Sequence, residues 1–132
     1  MKLEFPGAVP EIPVSDINAA ADYYVNNLGF ALDWGGGELG LAGISRGDCR
    51  MFLANPDFRK HYGNAGPILI WLNLNSKDEV NELYRLWSSS KAELISEPES
   101  KPYGLHEFMA KDLDGNLFRV FHDFGTVDSG GT

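Results

Sequence analysis

Short stretches of alternating apolar and polar residues recur along the chain, and two longer stretches carry apolar residues every three or four positions. The alternating stretches predict strands, because successive side chains of a strand point to opposite faces of a sheet. The longer stretches, "INAAADYYVNNLG" and "KDEVNELYRLWSSSKA", predict helices with one apolar face. Ser15 or Asp16 can cap the first helix, and Ser76 can cap the second.

The predicted elements follow the order β-α-β-β-β, and this order repeats in the second half of the chain. The first set covers about residues 8–56 and the second about residues 66–125. We predict an α+β fold in which two βαβββ modules form a concave mixed sheet within one domain, residues 1–125. A flexible tail is expected at residues 126–132. Each helix can cover only one face of its sheet, so the other face of each sheet is left open.

Strand periodicity also predicts which side chains point to the open faces. In the stretch "PILIWLNLN", Leu69, Trp71 and Asn73 should point away from the helix, because their apolar neighbours have the opposite parity. Trp34 and Tyr103 are candidates for a different reason. They lie next to glycines in predicted loops and could act as lids over a ligand. The complete set of candidate ligand-binding residues is Glu11, Trp34, Arg50, Phe52, Trp71, Asn73, Tyr103, Arg119 and Phe121.

An aromatic floor with a few charges suits a flat organic ligand. The same aromatic residues could instead fill the gap between the two modules as ordinary core. We expect Arg119 either to bind an anionic or carbonyl group or to pair with Glu11 across the cavity. The three histidines have no ligand spacing, and a surface or hydrogen-bonded role is expected for each.

Composition narrows the classes of partner. The 132 residues carry a net charge of −8, which does not favour nucleic acid or an anionic membrane. No apolar run approaches the roughly 20 residues that span a bilayer. Cys49 is the single cysteine, so an intramolecular disulfide is excluded, and the N-terminal residues do not resemble a signal peptide. We therefore expect a cytoplasmic protein.

Two segments of the chain resemble the ends of a known superfamily. "VPEIPVSDINAAADYYVNNLGF" contains V-x-D, an aromatic–Tyr pair and L-G-F, and "PYGLHEFMAKDLDGNLFRVF" contains a closing hairpin with D-x-D-G-N. Together they resemble the vicinal oxygen chelate superfamily, which includes glyoxalase I, extradiol dioxygenases, fosfomycin-modifying enzymes and bleomycin resistance proteins. The resemblance covers residues 8–125 and implies the glyoxalase/bleomycin resistance fold.

The resemblance also implies where a metal would be held. In the catalytic members, side chains on four strands bind a divalent cation, and the corresponding positions here read Val9, Phe52, Leu69 and Arg119. None of these supplies an imidazole, thiolate or carboxylate, and a guanidinium repels the cation. We therefore predict no metal site and no cofactor. If the strand register differs, Glu11, Glu107 and His122 are the substitutes to check.

These observations favour a non-catalytic binding protein of the bleomycin resistance type. It would hold an aromatic drug or natural product in a crevice between two copies of the chain, and the acidic surface is compatible with a cationic ligand. The resemblance implies an N-terminal arm exchanged between subunits, for which Pro6 or Pro10 could serve. Two alternatives remain: a metal-dependent glyoxalase- or dioxygenase-like enzyme, and a subunit whose open face is covered by a protein partner.

Overall fold

The computed structural model of the chain describes residues 1–63 and 66–125. The elements of the first half are β1 Glu11–Pro13, α1 Ile17–Asn26, β2 Ala31–Gly36, β3 Leu41–Arg46 and β4 Cys49–Ala54. Those of the second half are β5 Leu69–Asn73, α2 Lys77–Ser89, β6 Glu93–Leu94, β7 Glu99–Ser100, β8 Leu105–Lys111 and β9 Leu117–Asp123. The predicted flexible tail, residues 126–132, lies outside the described residues.

The strands form two sheets, with the orders β1-β4-β3-β2 and β5-β9-β8-β6, and β7 also pairs with β8. In each sheet the first strand runs parallel to the last, and the remaining pairs are antiparallel. The predicted α+β class and the repeated order of elements are confirmed. The stretch "AELISEPE", residues 92–99, has the alternation of a single strand, but the structure has the two short strands β6 and β7 there.

Side-chain caps begin both helices where the sequence predicts them. Asp16 is the residue that caps α1, and its carboxylate accepts a 3.0 Å hydrogen bond from the backbone N–H of Ala19. The Ser76 hydroxyl accepts a 3.1 Å bond from the N–H of Glu79 at the start of α2. Each cap satisfies a backbone donor that has no partner within the helix.

The two halves of the chain share one apolar core. Its members come from both helices and from the helix-covered face of each sheet, including Ile12, Ala42, Ile44, Met51 and Leu53 in the first sheet and Phe108, Ala110, Phe118 and Val120 in the second. The ring of Tyr24 on α1 packs edge-on against Phe118, with centroids 6.0 Å apart. The Nε1–H of Trp87 on α2 donates a 3.0 Å bond to the carbonyl of Leu28.

The helix-covered faces of both sheets meet in this core. The open face of each sheet therefore points away from the core. Among the described elements, no strand of the first sheet comes within 8 Å of a strand of the second sheet, measured between Cα atoms. A single chain therefore does not enclose its two open faces in one cavity.

The turn between β8 and β9 joins the two halves. The carboxylate of Asp112 is buried and accepts hydrogen bonds from the Tyr24 hydroxyl at 2.6 Å and from the backbone N–H of Asn116 at 2.9 Å. The Asn116 side chain donates to the carbonyl of Pro13 and accepts from the N–H of Ile68. One D-L-D-G-N turn thus connects β1, α1 and the residue before β5, so its role here is structural.

Candidate functional site

The first open face carries a pair of aromatic rings beneath an arginine. Trp34 and Phe52 meet edge to face, with ring centroids 5.1 Å apart, and Trp34 is 39% exposed. The Arg50 guanidinium lies 5.8 Å from the centre of the Phe52 ring. Gly43 makes the close approach of the indole possible, because a Cβ at this position would lie 2.5 Å from the Trp34 Nε1.

Trp34 reaches this face by a local irregularity of its strand. The prediction that it lies in a loop was wrong, since Trp34 belongs to β2. The register between β2 and β3 shifts between Leu32 and Trp34, so that Trp34 lies opposite Gly43. A bulge of this kind changes the face to which the following side chain points.

The carboxylate of Glu11 is held within the first half of the chain. Arg59 donates to its Oε2 at 2.6 Å, and the Tyr62 hydroxyl donates to the same oxygen at 2.5 Å. The predicted pairing of Glu11 with Arg119 is therefore wrong. The buried Arg59 was missed by sequence reasoning, because it lies in a polar stretch whose periodicity gives no strand or helix signal.

The second open face also carries a pair of aromatic rings. Trp71 and Phe121 meet edge to face at 5.5 Å between centroids, and the Arg119 guanidinium lies 5.3 Å from the centre of the indole ring. Trp71 is 46% exposed and Leu69 beside it is exposed as well. In the single chain, Trp71 is therefore a surface side chain and not a filler of the space between the two sheets.

A buried carboxylate fixes the arginine of the second face. Glu107 is 2% exposed, and its Oε2 accepts a hydrogen bond from Nη1 of Arg119. Its Oε1 accepts a 2.7 Å bond from the hydroxyl of Tyr103, which lies in the turn before β8. The hydrogen bond to Glu107 raises the pKa of Tyr103 above its usual value, so this hydroxyl remains a donor to higher pH than a free tyrosine.

The nine predicted ligand-binding residues thus fall into two groups. Glu11, Trp34, Arg50 and Phe52 belong to the first sheet, and Trp71, Asn73, Tyr103, Arg119 and Phe121 lie in or beside the second. The strand residues that parity placed on the open faces point to those faces, and Trp34, which was expected in a loop, joins them through the bulge in β2. Their role in ligand binding remains a prediction.

The side chains present do not fit a divalent cation. Val9, Phe52, Leu69 and Arg119 offer no metal-binding atom. The three substitutes are not brought together: Glu11 lies in the first sheet, Glu107 in the second, and His122 turns to the helix side, where its Nδ1 lies 3.0 Å from the carbonyl of Leu74. Within residues 1–63 and 66–125, no three His, Cys, Asp or Glu side chains are placed to hold a metal.

An apolar groove of about 530 Å³ lies on the helix side, between α2, the edge strand β5 and the turn between β3 and β4. Its walls include Phe30, Arg46, Cys49, Trp71, Leu83 and Trp87. Burial raises the pKa of the Cys49 thiol, which keeps it protonated and weakly nucleophilic. Trp71 and Asn73 are the two candidate residues that reach this groove.

The first eight residues of the chain form an exposed arm. Leu3 is 84% exposed and Phe5 is 94% exposed. Apolar side chains alternate with Lys2 and Glu4 along this arm, as in a strand with one apolar face.

The sequence profile of the Glyoxalase/Bleomycin resistance protein/Dioxygenase superfamily matches residues 8–120, which is most of the chain. The chain belongs to this superfamily. Solved structures share the fold of this chain. A glyoxalase/bleomycin resistance protein/dioxygenase from Nocardioides is 16% identical, with 99% of this chain and 92% of that chain covered and a TM-score of 0.77.

Two further structures differ in their described activity. A lactoylglutathione lyase from Agrobacterium tumefaciens is 17% identical, with 90% of this chain and 95% of that chain covered and a TM-score of 0.74. A bleomycin-binding protein in complex with bleomycin is 24% identical, with coverages of 89% and 98% and a TM-score of 0.69. Identities this low show the shared fold alone. None of the curated proteins matches the chain. Neither helix in the described ranges is long and apolar enough to cross a membrane.

Proposed function

We propose that this chain is a non-catalytic binding protein for an aromatic small molecule. The observation that carries the proposal is that each open sheet face presents an exposed tryptophan packed on a half-buried phenylalanine, while the metal positions of the fold carry no ligand atom. Exposed aromatic side chains on a rigid sheet supply large contact area with little loss of side-chain entropy. No cofactor is part of this proposal.

We further propose that the binding crevice is completed by a second copy of the chain. The two open faces lie outside the chain's own core, so the first face of one copy can lie opposite the second face of the other. Leu69 and Trp71 are exposed neighbours on the second face and Trp34 is exposed on the first. This supports such an interface, because apolar residues grouped on a monomer surface commonly mark a contact site. The exposed arm with Leu3 and Phe5 is a candidate to reach the partner subunit.

The biological role that we propose is sequestration of a drug or natural product in the cytoplasm. The likeness to a bleomycin-binding protein is compatible with this role, and the single unpaired Cys49 is compatible with a reducing compartment. Retention of a toxic compound in this way would make the chain an antibiotic resistance protein of the bleomycin resistance type.

Ligand binding and assembly can be tested together with matched variants. Aromatic compounds are titrated into wild-type protein, Trp34→Leu and Trp71→Leu, with Phe124→Leu as a control that removes an exposed ring outside both faces. Each tryptophan variant should weaken binding about tenfold or more, as expected for a buried aromatic contact in a complex. Sedimentation velocity should show a dimer. A monomer at all concentrations, or binding unchanged in both tryptophan variants, would contradict the proposal.

A further inference from the structure

We infer that the aromatic ligand of the open faces carries an anionic group and that Arg50 is the residue that binds this group. The inference rests on the proposed binding function and adds a chemical class of ligand. It opposes the expectation from net charge, because a chain with a charge of −8 would attract cations at long range.

The two carboxylates that lie beside the aromatic rings, Glu11 and Glu107, are already paired within the chain. Glu11 accepts hydrogen bonds from Arg59 and Tyr62, and Arg59 is its ion-pair partner. Glu107 accepts from Tyr103 and forms an ion pair with Arg119. A cationic ligand would therefore have to compete with a built-in guanidinium at either carboxylate.

Arg50 is the guanidinium on these faces whose charge is not compensated. Among the residues that the structure describes, no carboxylate oxygen lies within 4.0 Å of it, whereas Arg59 and Arg119 each have a carboxylate partner. The side chain is exposed on β4 and lies over the ring of Phe52. Glu11 and Glu107 each have an arginine partner, so Arg50 adds to the first aromatic face a positive charge that has no carboxylate partner among the described residues.

The position of Arg50 suits a planar anion next to an aromatic ring. A guanidinium that packs on a ring keeps its N–H groups at the edge available, and these match the two oxygens of a carboxylate, sulfonate or phosphate. Arg50 and Phe52 lie two residues apart on one strand, so their side chains share a face. A ligand that stacks on Trp34 and Phe52 would bring a substituent of its ring within reach of Arg50.

Two fluorescent probes with the same ring system distinguish the contribution of an anionic group to binding from the contribution of the aromatic rings. The probe 1-anilinonaphthalene-8-sulfonate carries a sulfonate, and N-phenyl-1-naphthylamine is the same compound without it. Both are titrated at low salt into the full chain as wild-type protein, Arg50→Gln, Trp34→Leu and Arg85→Gln. Arg85 is an exposed arginine on α2 outside both faces, so its variant controls for the loss of one positive charge.

The wild-type protein should bind the sulfonate probe about tenfold more tightly than the neutral probe. Arg50→Gln should remove this preference without changing the affinity for the neutral probe, Trp34→Leu should weaken both probes, and Arg85→Gln should change neither. If the two probes bind with equal affinity and Trp34→Leu weakens both, the inference of an anionic group is wrong and the proposed function still holds. Binding insensitive to Trp34→Leu, or no binding of either probe, would count against both.

Discussion

The hydroxyl of Tyr24 donates a 2.6 Å hydrogen bond to the buried carboxylate of Asp112, 88 residues further along the chain. This bond links the first helix to the turn between the last two strands. Tyr24→Phe would leave Asp112 with fewer donors while keeping the ring contact with Phe118. We expect a loss of about 1–3 kcal/mol in the free energy of unfolding, as for a buried charged acceptor that loses a donor.

Urea denaturation monitored by circular dichroism measures this loss. Tyr84→Phe is the matched control, because it also removes a phenolic hydroxyl from a partly buried ring, and no described hydrogen bond involves that hydroxyl. Equal stability of Tyr24→Phe and wild-type protein would show that the bond contributes nothing to the fold.

The same bond makes stability depend on alkaline pH. Burial and the neighbouring Asp112 raise the pKa of Tyr24 well above the usual 10.0. In the unfolded chain the hydroxyl ionises near pH 10, whereas in the folded chain it stays protonated to higher pH. The contribution of Tyr24 to stability is therefore fully present below about pH 10 and is lost as the pH rises above that value.

Denaturation curves between neutral pH and pH 11 should consequently show a smaller alkaline loss of stability for Tyr24→Phe than for wild-type protein. Parallel curves for the two proteins would contradict the raised pKa.

Gly43 should be required for the aromatic pair of the first face. In Gly43→Ala the new methyl group would lie 2.5 Å from the Trp34 Nε1, so the indole has to leave Phe52. We expect a destabilisation of about 1–3 kcal/mol and weaker binding of aromatic ligands.

Gly36→Ala in the neighbouring strand is the control, because its methyl group would meet only the Asn18 side chain, at an ordinary contact distance of 3.7 Å. Near-ultraviolet circular dichroism reports the displacement of the indole. An unchanged spectrum in Gly43→Ala would show that Trp34 packs elsewhere.

The ion pair between Arg119 and Glu107 should support the second sheet more than it supports ligand recognition. Arg119→Met would leave Glu107, which is 2% exposed, with the Tyr103 hydroxyl as its described partner. Loss of one partner of a buried pair typically costs about 3–5 kcal/mol, and the partial exposure of Arg119 places our expectation at the lower end.

Adding Glu107→Gln to Arg119→Met should recover part of this stability, because the remaining side chain is then neutral. Thermal melting of the single and double variants tests this. A double variant less stable than Arg119→Met would contradict the account.

Metal uptake should be absent. Purified protein is exposed to Zn²⁺, Ni²⁺, Mn²⁺ and Fe²⁺, dialysed and measured by atomic emission. We expect no stoichiometric retention, because Val9, Phe52, Leu69 and Arg119 carry no suitable ligand atom. Retention of one ion per chain would restore the enzyme hypothesis and direct attention to Glu11 and Glu107.

Strand parity made much of both faces predictable from the sequence. In β5, Leu69, Trp71 and Asn73 are exposed as predicted, while Ile70 and Leu72 pack against the core. Regular strands have a fixed period of two, so the residue order alone determines which side chains share a face.

The contacts that organise these faces could not be predicted in the same way. Trp34 depends on a bulge that shifts the register after Leu32. Arg59 reaches Glu11 across 48 residues of sequence, and the pairing of Glu107 with Arg119 depends on the register of β8 against β9. These are properties of the folded chain that local periodicity does not contain.

The relative position of the two open faces could not be predicted from local sequence patterns either. The repeated order of elements predicts that each sheet has an open face, but not whether the two faces of one chain meet. That outcome follows from side-chain packing between the halves, such as the contact of Tyr24 with Phe118.

The hydrogen bond from Trp87 to the Leu28 carbonyl has a consequence for which substitutions the chain can accept during evolution. It lies in an interior to which both halves contribute, so a change on one side of that interior has to be compatible with the other. The open faces have no such constraint, because no strand of either face approaches the other within the described chain. New ligand preferences can therefore arise by substitution of exposed face residues such as Trp71 and Asn73, whereas Gly43 and the pair of Arg119 with Glu107 are held by contacts within their own sheet.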